Sequence, residues 1–106
     1  MPTISQMLEI LELDPTDPVT HFSLANLYRE DEDIQHAIEH YRKSTDLKPD
    51  YSAAWFEMAK LAEKDQQWSV AKEAYEGAMR ASGSTGDDHI LKAAAMRIKK
   101  LTKRLK

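Results

Sequence analysis

From Pro18 onward, apolar residues recur every three or four positions: Leu24, Leu27 and Tyr28, then Ile34, Ala37, Ile38 and Tyr41. That spacing is the period of an amphipathic helix, not the alternation of a strand. The polar run Glu30-Asp31-Glu32-Asp33 divides the two sets, so the stretch predicts two helices and a turn. Asp17 before Pro18 marks the start of the first helix, an N-cap carboxylate followed by a proline whose missing N–H costs nothing there. Leu47-Lys48-Pro49-Asp50 ends the second, because proline removes a donor and restricts the residue before it.

The pattern then repeats. A shift of 34 residues superposes Phe22 on Phe56, Ala25 on Ala59, Leu27 on Leu61, Asp31 on Asp65, Ala37 on Ala71, Glu39 on Glu73 and Tyr41 on Tyr75. About two such identities are expected by chance at ordinary composition. Most of the seven are small or aromatic residues, the kind that set how closely helices approach. A second helix pair is therefore expected from Ser52 to about Ala81, closing at Ser82-Gly83-Ser84-Thr85-Gly86, with Gly83 and Gly86 both in the turn.

These units resemble the tetratricopeptide repeat, whose pattern is Trp-x2-Leu-Gly-x2-Tyr, then Ala, an aromatic, Ala and Pro. The second unit supplies Trp55, Met58, Ala59, Ala71, Tyr75 and Ala78; the first supplies Leu24, Ala25, Tyr28, Ala37, Tyr41 and Pro49. The resemblance implies an all-α fold, antiparallel helix pairs stacked as a short right-handed solenoid. Ala25 would face Ala37, and Ala59 would face Ala71. Ile4, Leu13 and Pro15 fall on Ile38, Leu47 and Pro49 at the same shift, so Thr3–Leu13 reads as the second helix of a preceding half repeat. The expected division is residues 1–17 half repeat, 18–51 repeat one, 52–85 repeat two and 86–106 a basic capping helix, begun by Asp87 or Asp88. Three departures stand out. Glu32 and Gln66 replace the usual glycine between the helices, which predicts strained or altered turns; His21 occupies a position often filled by Trp or another bulky residue, and Gly83 one often filled by Pro.

Composition narrows the function. Hydrophobic residues at 42% and charged residues at 31% suit a folded globular chain, and 106 residues suit one domain. The absence of cysteine excludes thiolate and disulfide chemistry. The start lacks the basic n-region of a signal peptide, and no apolar run approaches the roughly 18 residues of a membrane span, so a cytoplasmic protein without membrane contact is expected. Charge is lopsided: residues 1–91 hold 8 Lys/Arg and 18 Asp/Glu, net −10, and residues 92–106 hold 7 Lys/Arg and no acid, net +7.

Little here suggests an enzyme. His36-Ala37-Ile38-Glu39-His40 matches a zinc-protease pattern, but Ala37 and Ile38 are repeat-core positions, which leaves His36 and His40 on the outer surface. His21 and His89 have no plausible catalytic partner in sequence. The three glycines form no phosphate loop. No metal or cofactor is implied. Trp55, Trp68, Tyr41 and Tyr75 are expected in the core.

The family resemblance instead implies a binding groove on the first helices of the repeats. Phe22 and Phe56 would point into it, or be covered by the last helix or a second chain, with Val19, Asn26 and Arg29 on the same face of repeat one and Ala53, Glu57, Lys60 and Lys64 on that of repeat two. The expected function is protein–protein interaction with a partner peptide or protein. The alternative is a self-associating subunit whose groove or open end makes a homo-oligomer, because the half repeat leaves Met7, Leu8 and Leu11 without their usual partner helix. One known version of the groove clamps the C-terminal carboxylate of a chaperone tail. Only Asn26 matches it; Phe22, Glu57, Asp87 and Leu91 replace its other residues, which argues against that ligand. The last helix carries a seam of Leu91, Ala94, Ile98, Leu101 and Leu105, suited to packing on repeat two or to pairing with another helix; two heptads are too few to argue a coiled coil, which favours packing. Its other faces hold Lys92, Arg97, Lys99, Lys100, Lys103, Arg104 and Lys106. They would be solvated or attract an acidic partner; nucleic acid is not expected, given a pI of about 5.8 and no interleaved aromatics.

Overall fold

Side-chain caps fix the starts of the first three helices. The computed structural model describes residues 2–104, which form α1 (Ile4–Leu13), α2 (Pro18–Glu30), α3 (Ile34–Leu47), α4 (Ser52–Lys64), α5 (Trp68–Thr85) and α6 (Asp88–Arg104). Thr3 and Gln6 form a capping box at α1, with the Thr3 hydroxyl accepting from the Gln6 N–H at 3.1 Å and the Gln6 amide from the Thr3 N–H at 2.9 Å. Asp17 caps α2 through the Val19 N–H at 3.0 Å, with Pro18 in the first turn, and Asp33 caps α3 through the His36 N–H. Leu105, the last seam residue, and Lys106 lie outside the described residues.

The two turns within the repeats match bond for bond. The Asp33 N–H donates to the Tyr28 carbonyl and the Glu32 N–H to that of Arg29; 34 residues on, Gln67 donates to Ala62 and Gln66 to Glu63. This is the Schellman closure, which places its pivot residue in the left-handed region. Glu32 (φ 60°) and Gln66 (φ 62°) occupy that pivot, so the turn keeps the glycine geometry and the substituted residues bear the strain.

Packing follows the small residues. α2 pairs with α3 and α4 with α5, α3 contacts α4, and α6 lies on α5, an antiparallel stack 42 × 28 × 20 Å. Ala25, Ala37, Ala59 and Ala71 are wholly buried in one cluster with Tyr41, Met58 and Tyr75. Trp55 is half-buried. Its indole lies so close to α5 that a Cβ on Gly77 would collide with it, which explains a glycine in mid-helix. Trp68 is also half-buried, at the edge of the core. Ala94 and Leu101 bury the α6 seam against the stack, so α6 caps it as expected.

Two expectations fail. The second repeat does not close at Ser82: α5 runs on to Thr85, and Gly83 is helical. Local composition there favours a break, but Ala81 and Ser82 are buried, and the stop comes from Gly86 at φ 81° with its N–H on the Ser82 carbonyl. Nor is the apolar set of α1 left wholly bare. Met7 is buried and Leu11 half-buried against the stack, whereas Leu8, Ile10 and Leu13 are the exposed positions.

Candidate functional site

The face formed by α2 and α4 carries an ion-pair hub that sequence did not foretell. Arg29 Nη1 donates to Glu57 Oε2 at 2.6 Å, and Lys60 Nζ lies 2.9 Å from Glu57 Oε1. One half-buried carboxylate thus holds a cation from each repeat. Beside it opens a cavity of about 470 Å³, bounded by Arg29, Glu57, Lys60 and Lys64 and floored by Ile34 and Leu61, with Glu32 at its rim. Four of the expected groove residues therefore converge. Ile34, Leu61 and Glu32 were not expected there, because they belong to the start of α3, a core position of α4 and the turn. The signal available was that Ile34 opens α3 and Leu61 lies in the last turn of α4, which follows it in the stack.

The remaining expected residues behave differently. Phe22 and Phe56 do not bound that cavity; each lies half-buried against the tyrosine of its own repeat, Phe22 5.8 Å from Tyr41 and Phe56 5.9 Å from Tyr75 between ring centroids. Phe22 also meets Tyr51 at 5.1 Å, and Lys60 stands 5.1 Å from the Phe56 ring. Asn26 accepts the Tyr41 hydroxyl proton. Burial raises the Tyr41 pKa and, with the Glu57 charge, pushes that of Tyr75 up to about 12, so both phenols remain hydrogen-bond donors. Ala53 is half-buried and Val19 is exposed.

A second cavity, about 600 Å³, lies between α4, the start of α5 and α6. Glu63 organises it. Its carboxylate accepts the Tyr75 hydroxyl at 2.7 Å and a fork from Arg97, whose Nε lies 3.1 Å from Oε1 and whose Nη2 meets Oε2. Arg97 is thus not part of a solvated basic face; it fastens α6 to α4. Arg104 stacks over Trp68 at 4.3 Å.

The histidines also depart from expectation. His21 is buried and not isolated, and His40 is half-buried. Their Nδ1 atoms are 3.1 Å apart, with ring centroids at 5.3 Å and planes 24° apart, so the rings meet head-on along one hydrogen bond rather than face to face. His21 Nε2 lies 2.9 Å from the Pro15 carbonyl and must carry a hydrogen there. This assigns His21 Nδ1 as acceptor and His40 Nδ1 as donor. Burial first, then the neighbouring His21, lowers the His40 pKa to about 4. His36 is exposed and its Nδ1 pairs with Asp33 at 2.8 Å; both His36 and His40 lie against the Tyr28 ring. The two histidines of the zinc-protease pattern therefore direct their Nδ1 atoms at different partners.

No curated protein matches the sequence significantly. A family model described as tetratricopeptide repeat matches residues 19–51. Several solved structures share the fold. PcrH, solved in complex with the chaperone-binding region of PopD, superposes with a TM-score of 0.87 at 12% identity over 97% of this chain and 78% of that one. The TPR2B domain of yeast Sti1, solved in complex with pHsp70, gives 0.81 at 14% identity over 95% and 81%. The TPR domain of Sgt2 from Aspergillus fumigatus gives 0.73 at 24% identity over 94% and 68%. No helix among the described residues is long and apolar enough to cross a membrane. With one tetratricopeptide repeat matched directly, a second copy reproducing its turn bond for bond and the stack shared along nearly its whole length, the chain has the tetratricopeptide-repeat fold.

Proposed function

We propose that this chain is a non-catalytic protein-interaction module that holds a segment of a partner protein on the α2/α4 face. The observation that carries the reading is the cavity between the two repeats, apolar at Ile34 and Leu61 and rimmed by Arg29, Glu57, Lys60 and Lys64. An apolar floor with charged walls suits one buried side chain of a peptide whose flanks remain hydrated. The Arg29–Glu57–Lys60 hub holds those walls in place before the ligand arrives, which reduces the ordering cost of binding. PcrH and the Sti1 domain, solved with protein partners on the same fold, support this use of it. A chaperone tail is not the ligand in this reading. Its terminal carboxylate would meet the like charge of Glu57, which already engages Arg29 and Lys60.

Selection of random peptides on the immobilised chain, followed by titration, tests the reading. Enriched peptides should bind the wild type and lose affinity about tenfold or more to Ile34→Ser, a loss of roughly 1.4 kcal/mol. Thermal melts of the variant separate lost binding from lost folding. Peptides that bind wild type and folded I34S equally would place the binding face elsewhere.

A second reading, self-association, is favoured by one observation: Leu8, Ile10 and Leu13 of α1 are exposed at the open end of the stack.

A further inference from the structure

We infer that the second cavity, between α4 and α6, is a subsite for acidic side chains of the same partner peptide. The proposal rests on the groove reading above and extends it to the chemistry of the ligand.

Five cations border this cavity: Lys60, Lys64, Arg97, Lys100 and Arg104. The single acid there, Glu63, is already engaged by Arg97 and Tyr75. Among the described residues, neither Lys64 nor Lys100 has an acidic group within 4.0 Å. Cations in the last turns of α6 are favoured by the helix dipole, which accounts for Arg104. The same effect favours Lys64 in the last turn of α4, but it does not account for Lys60 or for cations of two helices meeting in one space. Like charges converging from two elements repel one another, and a docked anion removes that cost.

Continuity sets the occupant. Lys60 and Lys64 border both cavities, so the apolar floor of Ile34 and Leu61 and the cationic space share a wall. A peptide whose apolar side chain fills the first places its neighbouring residues at the second. Carboxylates are the complement. A long polyanion is disfavoured because residues 1–91 carry a net charge of −10 around this small basic area, and the one aromatic of the cavity, Trp68, is already covered by Arg104. The partner motif is therefore an apolar anchor with aspartate or glutamate within a few residues of it.

The test uses the whole chain and random peptides of about 12 residues, a length that spans both cavities when extended. Selection at about 0.15 M salt keeps exposed charge interactions partly screened. Enriched peptides should combine an apolar residue with nearby acids. Exchanging those acids for amides should weaken binding to the wild type by about tenfold. The double variant Lys64→Ala/Lys100→Ala should show the same loss, and the amide peptide should lose little more on it, the signature of a direct coupling. Binding to that variant should also depend less on salt. Both lysines are exposed, so an unchanged melt is expected and is measured alongside.

Enrichment without acidic bias, or full affinity of acidic peptides for the double variant, overturns the subsite. If Ile34→Ser still abolishes binding in that case, the groove reading survives alone. If neither variant matters, or nothing enriches above a blank surface, both fall. A labelled single-stranded oligonucleotide that binds more tightly than the peptides, and loses affinity to the double variant, would make the site one for nucleic acid. Salt-sensitive self-association lost in that variant would make the occupant a second copy. Either result overturns the peptide assignment.

Discussion

At the scale of single residues, sequence position and environment part company. His21 read as isolated because its partner, His40, lies in the other helix of the same repeat, and only the α2–α3 pairing brings the two Nδ1 atoms together. Burial of His40, with that contact second, makes stability depend on pH. The unfolded chain takes up a proton on His40 near the ordinary value of 6.5, whereas the folded chain resists until about 4. Across that window the unfolded state binds more protons, so stability is full above it, declines as pH falls through it and levels off below. His21, Lys43 and His36 oppose the proton, and Glu39 favours it. His40→Gln should narrow the difference between melting temperatures measured above and below the window; a difference equal to the wild type's would remove His40 as its source. Glu32 and Gln66 offer the converse test. Their departure from glycine was legible, but whether the turn would deform or the residue would bear the strain was not, because that depends on the hydrogen bonds closing around it. Each left-handed residue costs roughly 1–2 kcal/mol, of which glycine's greater freedom when unfolded takes back about 0.5–1. Glu32→Gly with Gln66→Gly should therefore raise the melting temperature by a few degrees, and Glu32→Val should lower it. No rise in the double variant would mean that these turns hold little strain.

At the scale of helices, the sequence was most informative where a side chain acts on its own neighbours. Asp17 with Pro18 and the acidic run before α3 marked helix boundaries because caps are local. The 34-residue repeat marked the paired alanines because close approach admits only small residues. The end of α5 was not legible, since burial of Ser82 overrides the poor helix propensity of Ser-Gly-Ser-Thr. The same contrast between buried and exposed positions governs substitution. Ala71 is wholly buried between α4 and α5, so Ala71→Leu should overpack the pair and cost about 1–3 kcal/mol. Glu73, two residues on, is exposed and pairs with Arg42 at 2.8 Å on the surface, where ion pairs contribute about 0–1 kcal/mol. Glu73→Leu should therefore move a urea midpoint far less. Similar midpoints for the two variants would contradict close alanine packing. The proposed groove divides along the same line. Arg29, Glu57, Lys60 and Lys64 were legible as one face of two helices, whereas its floor required knowing how those helices stack.

At the scale of the whole molecule, the two ends are unlike, and this determines how copies can meet. The α1 end exposes Leu8 at 41%, Ile10 at 45% and Leu13 at 88%, among Glu9, Glu12 and Asp14 and without a basic residue. The α6 end is strongly basic. If α1 packs on α1, the contact is isologous and closes at a dimer; if α1 packs on α6, it is heterologous and continues into longer assemblies. Salt separates the two. An α1–α1 contact buries apolar side chains while bringing like-charged carboxylates together, so screening strengthens it; an α1–α6 contact joins opposite charges, so screening weakens it. Among the described residues the larger apolar exposure lies on α1, since α6 there shows only Met96 as an exposed large hydrophobic. Dimerisation through α1 at high concentration is therefore expected, favoured by salt and abolished by Leu13→Asp. Leu13 is almost fully exposed in the monomer, so that substitution leaves the fold intact, and a matching circular dichroism melt checks this. Sedimentation equilibrium of wild type and L13D at low and high salt reads the outcome. Monomer alone at about millimolar wild-type protein would leave the α1 end as a bare cap, and assemblies that dissolve as salt rises would transfer the contact to the basic helix.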